Sequence, residues 1–163
     1  MKCMNTIRVA TSAERAWHVI AEQFGDAADW AATIETSRLV GKMGVGAVRA
    51  CKTKAVGPFP PNFIEEEVTQ FNPENHSYEY ELVSGLPGIF KRARNTWSIR
   101  SINESQCEIN SHVVIEPITW LRPLGWLFPI LIKRDLKHTF EELGFFIEHG
   151  KAHPRKQISI GKE

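Results

Sequence analysis

Between Ile34 and Ile115 almost every residue falls into a strand pattern or a turn, and this run constrains the fold more than any other feature of the chain. The predicted strands are Ile34–Val40, Ala47–Lys54, Phe63–Phe71, His76–Val83, Phe90–Ile102 and Gln106–Ile115. The breaks between them, such as Gly41–Gly46, Asn72–Asn75 and Asn103–Ser105, carry turn residues and are short enough for hairpins, so the strands form an antiparallel meander. Tyr78, Tyr80 and Leu82 alternate with Ser77, Glu79 and Glu81, and Cys107, Ile109, Ser111, Val113 and Ile115 alternate with Glu108, Asn110 and His112. One face of the sheet is therefore buried and the other wet.

Helical signals flank this run. Thr6–Ala10 reads as a short strand that stops at Thr11-Ser12-Ala13-Glu14, a capping-box pattern with its glutamate three positions after the hydroxyl. Ala16, Trp17, Ile20 and Phe24 then recur at helical spacing until Gly25 breaks the helix, and a second short helix runs through Ala28 and Trp30. After Pro117 the period is helical again, with Leu136, Phe140, Leu143 and Ile147 opposite Lys133, Lys137, Glu141 and Glu148. Pro123 and Pro129 place the start of this long helix near Pro129, and Gly150 closes it. Residues 151–163 have few apolar positions and no period, so they read as a flexible C-terminal tail behind a single domain of residues 1–150.

Lysine plus arginine (20) nearly balance aspartate plus glutamate (19), which leaves no global field to gather nucleic acid or an anionic membrane. Cys3, Cys51 and Cys107 are odd in number and far apart, as reduced thiols are. The N-terminus has no signal-peptide stretch, and the longest apolar run, Leu124 to Ile132, falls short of the ~18 residues that span a bilayer. A soluble, cytoplasmic protein is expected.

The order of elements, with four local motifs, resembles the START-like (SRPBCC) superfamily and, within it, the polyketide cyclase/dehydrase-like branch. The motifs are Val9 to Trp17, Asp29-Trp30, Gly44-Val45-Gly46-Ala47-Val48-Arg49, and Glu66 to Pro73, and the resemblance covers roughly Asn5 to Gly150. It implies an α+β helix-grip fold, a curved antiparallel sheet around a long C-terminal helix. It also implies a binding or cyclase-like role for hydrophobic molecules such as lipids, polyketides or isoprenoids. Physics agrees: a curved sheet cannot lie flat on one straight helix, and the gap is a ready apolar cavity.

The resemblance places Arg49 and Glu66 on neighbouring strands, with Glu66 on the parity of Ile64 and Val68. An inward carboxylate must be paired or protonated, and arginine pairs it bidentately, so an Arg49–Glu66 pair is expected to line the cavity. Otherwise the two form a rim salt bridge of little weight. Trp30, Tyr78, Tyr80 and Trp97 are large enough to wall a pocket, or else simply pack the core, with Phe140 facing them from the helix stripe. Asn95 shares parity with Ala93 and Trp97 and needs polar partners there. Two loops, Ala55 to Asn62 with Phe59 and Ser84 to Phe90 with Leu86, have stiff proline backbones and apolar tips suited to an entrance lid. These ten residues are the candidate ligand contacts.

No motif for acyl transfer, zinc hydrolysis, phosphate or dinucleotide binding occurs, so neither metal nor cofactor is expected. His138 with Glu141 and Glu142 reads as a solvated helix face. Lys91, Arg92, Arg94 and Arg100 read either as an anion-binding patch or as the wet side of a strand neutralised by Glu79 and Glu81. Trp120 to Phe128, beside Lys133 and Arg134, is suited to transient contact with a membrane surface. The expected partner is a small hydrophobic molecule rather than nucleic acid. Three function classes stand at this point: a binder or carrier of such a ligand, a cyclase or dehydratase acting on a hydrophobic carbonyl compound, and a protein-interaction module with a vestigial cavity.

Overall fold

The first strand, β1 (Lys2–Val9), begins four residues earlier than its β-branched core predicts, because it lies along the whole of the last strand and Met1 extends the ladder to Ile115. A computed structural model describes the backbone of residues 1–56, 58–120 and 127–160, with side chains throughout except at 127–129, 131, 132, 159 and 160. Helix α1 (Ala13–Trp17) is capped by Ser12, whose Oγ accepts from Arg15 N at 3.3 Å. The cap falls one residue later than the Thr11–Glu14 pattern suggests, and that start turns Ala13, Ala16 and Trp17 together into the core. A π-helical turn (His18–Glu22) and a 3₁₀ stretch (Phe24–Asp29) follow. Gly25 lies inside the second of these rather than between helices. A Cβ there would come within 2.8 Å of Leu39 Cβ, so glycine is what lets this stretch lie against the sheet.

The remaining strands are β2 (Ile34–Val40), β3 (Val48–Thr53), β4 (Asn62–Asn72), β5 (Ser77–Ser84), β6 (Phe90–Asn103) and β7 (Gln106–Pro117). They make one antiparallel sheet in the order β1-β7-β6-β5-β4-β3-β2, the expected meander with β1 added to its far edge. Register shifts between β4 and β5, at Glu65/Glu66 and Val68/Gln70, mark bulges, which bend a strand and increase its local twist. Helix α2 (Leu127–His149) grips the concave face with Phe140, Leu143 and Ile147, all buried, and Phe140 stacks on Trp97 of β6 at 5.3 Å and 10°. Burying each such side chain stabilises the fold by about 1.5–3 kcal/mol. The helix starts at Leu127, so Pro129 lies in the first turn, where backbone N–H groups have no intrahelical partner to lose.

The stretch after Gly150 was expected to be a flexible tail, yet it carries a third helix, α3 (Pro154–Ile160). Charge rather than apolar surface docks it, which is why no hydrophobic period announces it. Arg155 donates to Glu142 Oε1 at 3.1 Å, to Glu141 Oε2 at 2.6 Å and to the His138 carbonyl at 3.1 Å. Lys156 Nζ reaches the Ile34 carbonyl at 2.6 Å. Glu142, read from sequence as part of a solvated face, is 1% exposed, and its other oxygen accepts from Ala32 N at 2.8 Å. α2, α3 and the segment leading into β2 thus meet on one carboxylate.

Candidate functional site

The alternation of β3 to β7 turns Arg49, Glu66, Tyr80, Asn95 and Ser111 onto the concave face beneath α2. Arg49 and Glu66 are direct cross-strand partners. Arg49 Nε donates to Glu66 Oε2 at 2.6 Å, its Nη2 lies 2.5 Å from the same oxygen, and its Nη1 donates to the Phe24 carbonyl at 3.0 Å. The guanidinium also lies 3.9 Å from the Phe24 ring centroid. Both side chains are buried, so this is the inward pair and not a rim salt bridge. Burial works against the guanidinium charge, but Glu66 together with Tyr80, Cys51 and Tyr78 outweighs it and raises the arginine pKa.

A second chain of contacts runs beside the first. Ser111 Oγ donates to Asn95 Oδ1 at 2.7 Å, and Asn95 Nδ2 donates to the Tyr80 hydroxyl at 3.2 Å. Asn95 therefore has the polar partners its inward parity demands. Burial, reinforced by Glu66, pushes the Tyr80 hydroxyl up to about 12, against the pull of Arg49, Asn95 and Trp97. The Trp97 indole acts on that hydroxyl, yet its buried Nε1 has no partner at hydrogen-bonding geometry. Burial also raises Tyr78 well above the ordinary tyrosine value, and its hydroxyl donates to the Ile20 carbonyl at 3.0 Å.

Two adjoining pockets open between the sheet and α2. The inner one, about 210 Å³, is lined by Trp30, Arg49, Glu66, Tyr78, Tyr80, Asn95, Trp97 and Phe140 among others. The outer one, about 570 Å³, brings in Phe59 and Leu86 and shares Glu66, Tyr80 and Asn95 with the inner. All ten candidate residues thus border one or the other. The two proline-bearing loops flank the outer pocket, where Phe59 meets Phe90 edge-on at 5.8 Å and Asn62 Nδ2 donates to the Gly85 carbonyl at 2.7 Å. Gly85 has φ +76°, and a Cβ on it would come within 2.0 Å of the Phe63 carbonyl oxygen, so only glycine fits this approach to β4.

Sequence reasoning missed Phe24, whose ring and carbonyl both hold Arg49, and Ser111, which orients Asn95. Ser111 was visible in the alternation of β7, and its polar atom on an apolar face was the available signal. On the basic strand the expected neutralisation by Glu79 and Glu81 is met, among the described residues, only at Arg92, while Glu79 accepts from Thr69 and Thr96 and Lys91 donates to Thr119. Arg92 forms two bonds to Glu81, at 2.7 and 2.5 Å, while Arg100 turns to Glu108 of β7 at 3.0 Å. Among the described residues no group of three or more His, Cys, Asp or Glu side chains converges as a metal site, and no helix is long and apolar enough to cross a membrane. In the Trp120–Phe128 stretch, Trp120 is 72% exposed and the side chains of 121–128 lie outside the described residues.

Solved structures share this architecture. Norcoclaurine synthase from Thalictrum flavum, solved in complex with dopamine and hydroxybenzaldehyde, superimposes with a TM-score of 0.67 at 16% identity over 90% of this chain and 86% of its own. A START superfamily protein from Mycobacterium smegmatis gives 0.70 at 14% identity, covering 90% and 96%. A protein from Thermus thermophilus gives 0.72 at 15%, covering 90% and 97%. At such identities the likeness speaks for the helix-grip fold alone. No curated protein matches the chain in sequence. A family model described as polyketide cyclase / dehydrase and lipid transport does match residues 2–144, and by that span the chain belongs to this family.

Proposed function

We propose that the chain, through its 1–150 body, binds a small hydrophobic ligand between the sheet and α2. The observation that carries this reading is the pair of adjoining pockets, about 210 and 570 Å³, in which an apolar mouth leads to a buried polar end. The family description, which joins cyclases with lipid transport, supports a role of this kind. Binding is favoured over acid/base catalysis because Glu66, the one carboxylate lining the inner pocket among the described residues, is committed to Arg49 at 2.6 Å. A general base has to be free to take a proton. Burial also keeps both tyrosine hydroxyls protonated at neutral pH.

The test is native mass spectrometry of the purified protein, followed by denaturing extraction of anything it carries. A stoichiometric hydrophobic molecule is the expected result. An empty protein whose melting temperature no lipid or polyketide-like panel raises would overturn the reading in favour of an interaction module. Transient membrane contact belongs to the same proposal. Trp120 and Ile130 are 72% and 60% exposed, Lys133 and Arg134 on α2 are exposed as well, and co-sedimentation with anionic vesicles measures the contact. The three unpaired thiols, two of them buried, support a reducing compartment such as the cytoplasm.

A further inference from the structure

We infer that the inner pocket selects ligands whose polar end is an uncharged oxygen, a ketone or alcohol rather than a carboxylate or phosphate, and that the Tyr80 hydroxyl donates the hydrogen bond that holds it. This rests on the binding reading above and adds the chemistry of the ligand's polar end.

The direction of the hydrogen bonds carries the argument. Ser111 Oγ donates to Asn95 Oδ1, and Asn95 Nδ2 donates to the Tyr80 oxygen. Tyr80 is therefore an acceptor within the wall, and its own proton has no acceptor among the described residues. A buried hydroxyl proton left unpaired carries a desolvation penalty, and a ligand oxygen placed on it relieves that penalty. The buried Trp97 Nε1, also without a partner, adds a second donor dipole beside the same hydroxyl.

Charge excludes the alternative. Among the described residues, Arg49 and Glu66 are the only acidic or basic side chains lining the inner pocket. Each nitrogen of Arg49 already has a contact, Nε and Nη2 with Glu66 and Nη1 with the Phe24 carbonyl, and its charge is paired by Glu66. An incoming carboxylate would meet no free cation there, and it would be desolvated next to Glu66. An uncharged oxygen faces neither penalty, and its apolar body extends towards Phe59 and Leu86 at the mouth.

Four shape-matched probes test this by calorimetric titration at pH 7.5: 2-acetylnaphthalene, 2-(1-hydroxyethyl)naphthalene, 2-ethylnaphthalene and 2-naphthoate. The ketone and the alcohol are expected to bind roughly three- to tenfold more tightly than the ethyl compound, the range one net hydrogen bond supplies. Naphthoate is expected to bind more weakly than the ethyl compound. Tyr80→Phe should bring the ketone to within about twofold of the ethyl compound and leave the latter unchanged, again on the scale of one hydrogen bond. The wild-type ranking is a test in its own right, whatever the stability of the variant. Naphthoate binding as tightly as the ketone, or a ketone advantage that survives Tyr80→Phe, overturns the inference while leaving hydrophobic binding intact. Four probes that all fail to bind overturn the binding reading itself, and the inference with it.

Discussion

At the inner end of the cavity the sheet, the 3₁₀ stretch and α2 close in from three sides, and the polar side chains of the strands hold one another: Arg49 with Glu66, and Tyr80 with Asn95 and Ser111. At the mouth two loops complete the wall. There Phe59 leans on Phe90, and among the described residues a side-chain hydrogen bond, Asn62 to Gly85, joins the loops. The inner end is held by buried pairs of polar side chains, whereas the mouth is closed by apolar loop tips. A ligand's polar group would thus meet a prearranged partner, while its apolar body would meet surfaces free to adjust.

The largest expected effect separates the two ends directly. Glu66→Gln leaves a buried guanidinium without its counter-charge and should cost about 3–5 kcal/mol in urea-induced unfolding, with little dependence on salt. A loss below about 1 kcal/mol would mean that Arg49 reaches water and that the inner end is as loose as the mouth. Alkaline pH probes the same region next. Tyr80 titrates near 10 in the unfolded chain and near 12 when folded, so the folded state keeps a proton the unfolded state has lost. Its contribution is complete below pH 10 and disappears as pH rises through 12, a fall of about 2–3 kcal/mol that Tyr80→Phe should remove from the pH profile of stability.

At the mouth, Gly85→Ala combines a left-handed backbone with a collision against β4, and should cost about 2 kcal/mol while loosening the 84–90 loop, visible as faster amide exchange there. The smallest effect on stability belongs to Phe59→Ala. Unfolding should shift by less than about 1 kcal/mol, since Phe59 is only half-buried. Affinity for an apolar probe should nevertheless drop severalfold. If Phe59→Ala destabilises as much as Glu66→Gln, the contrast between the two ends is wrong.

The inner end was also the more legible in the sequence, because strand alternation is a local signal that assigns a face without knowledge of the fold. Glu66 and Asn95 are polar residues on an apolar parity, and that sufficed to mark them. Phe24 was legible as core but not as a partner of Arg49, since its carbonyl carries no residue-specific signal and its ring meets the guanidinium only through the tertiary fold. Glu142 was misread for a related reason. It flanks the apolar stripe beside Leu143, and its burial comes from Ala32, 110 residues away, and from α3, whose docking by Arg155 and Lys156 has no period to detect. An antiparallel meander follows from hairpin spacing, whereas polar contacts between distant segments do not.

The sheet order also has a kinetic side. β1 has only β7 as a strand partner, with Lys2 opposite Val114 and Val9 opposite Cys107. Ribosomes add about 5–20 residues per second, so the first strand to be made waits on the order of ten seconds for the strand that pairs with it. The hairpins from β2 to β7 can form as they emerge, each closing a short loop, while β1 closes the longest one in the sheet. Completion of the grip is thus a late event in synthesis, and the β7 edge stays open until the N-terminus returns to it.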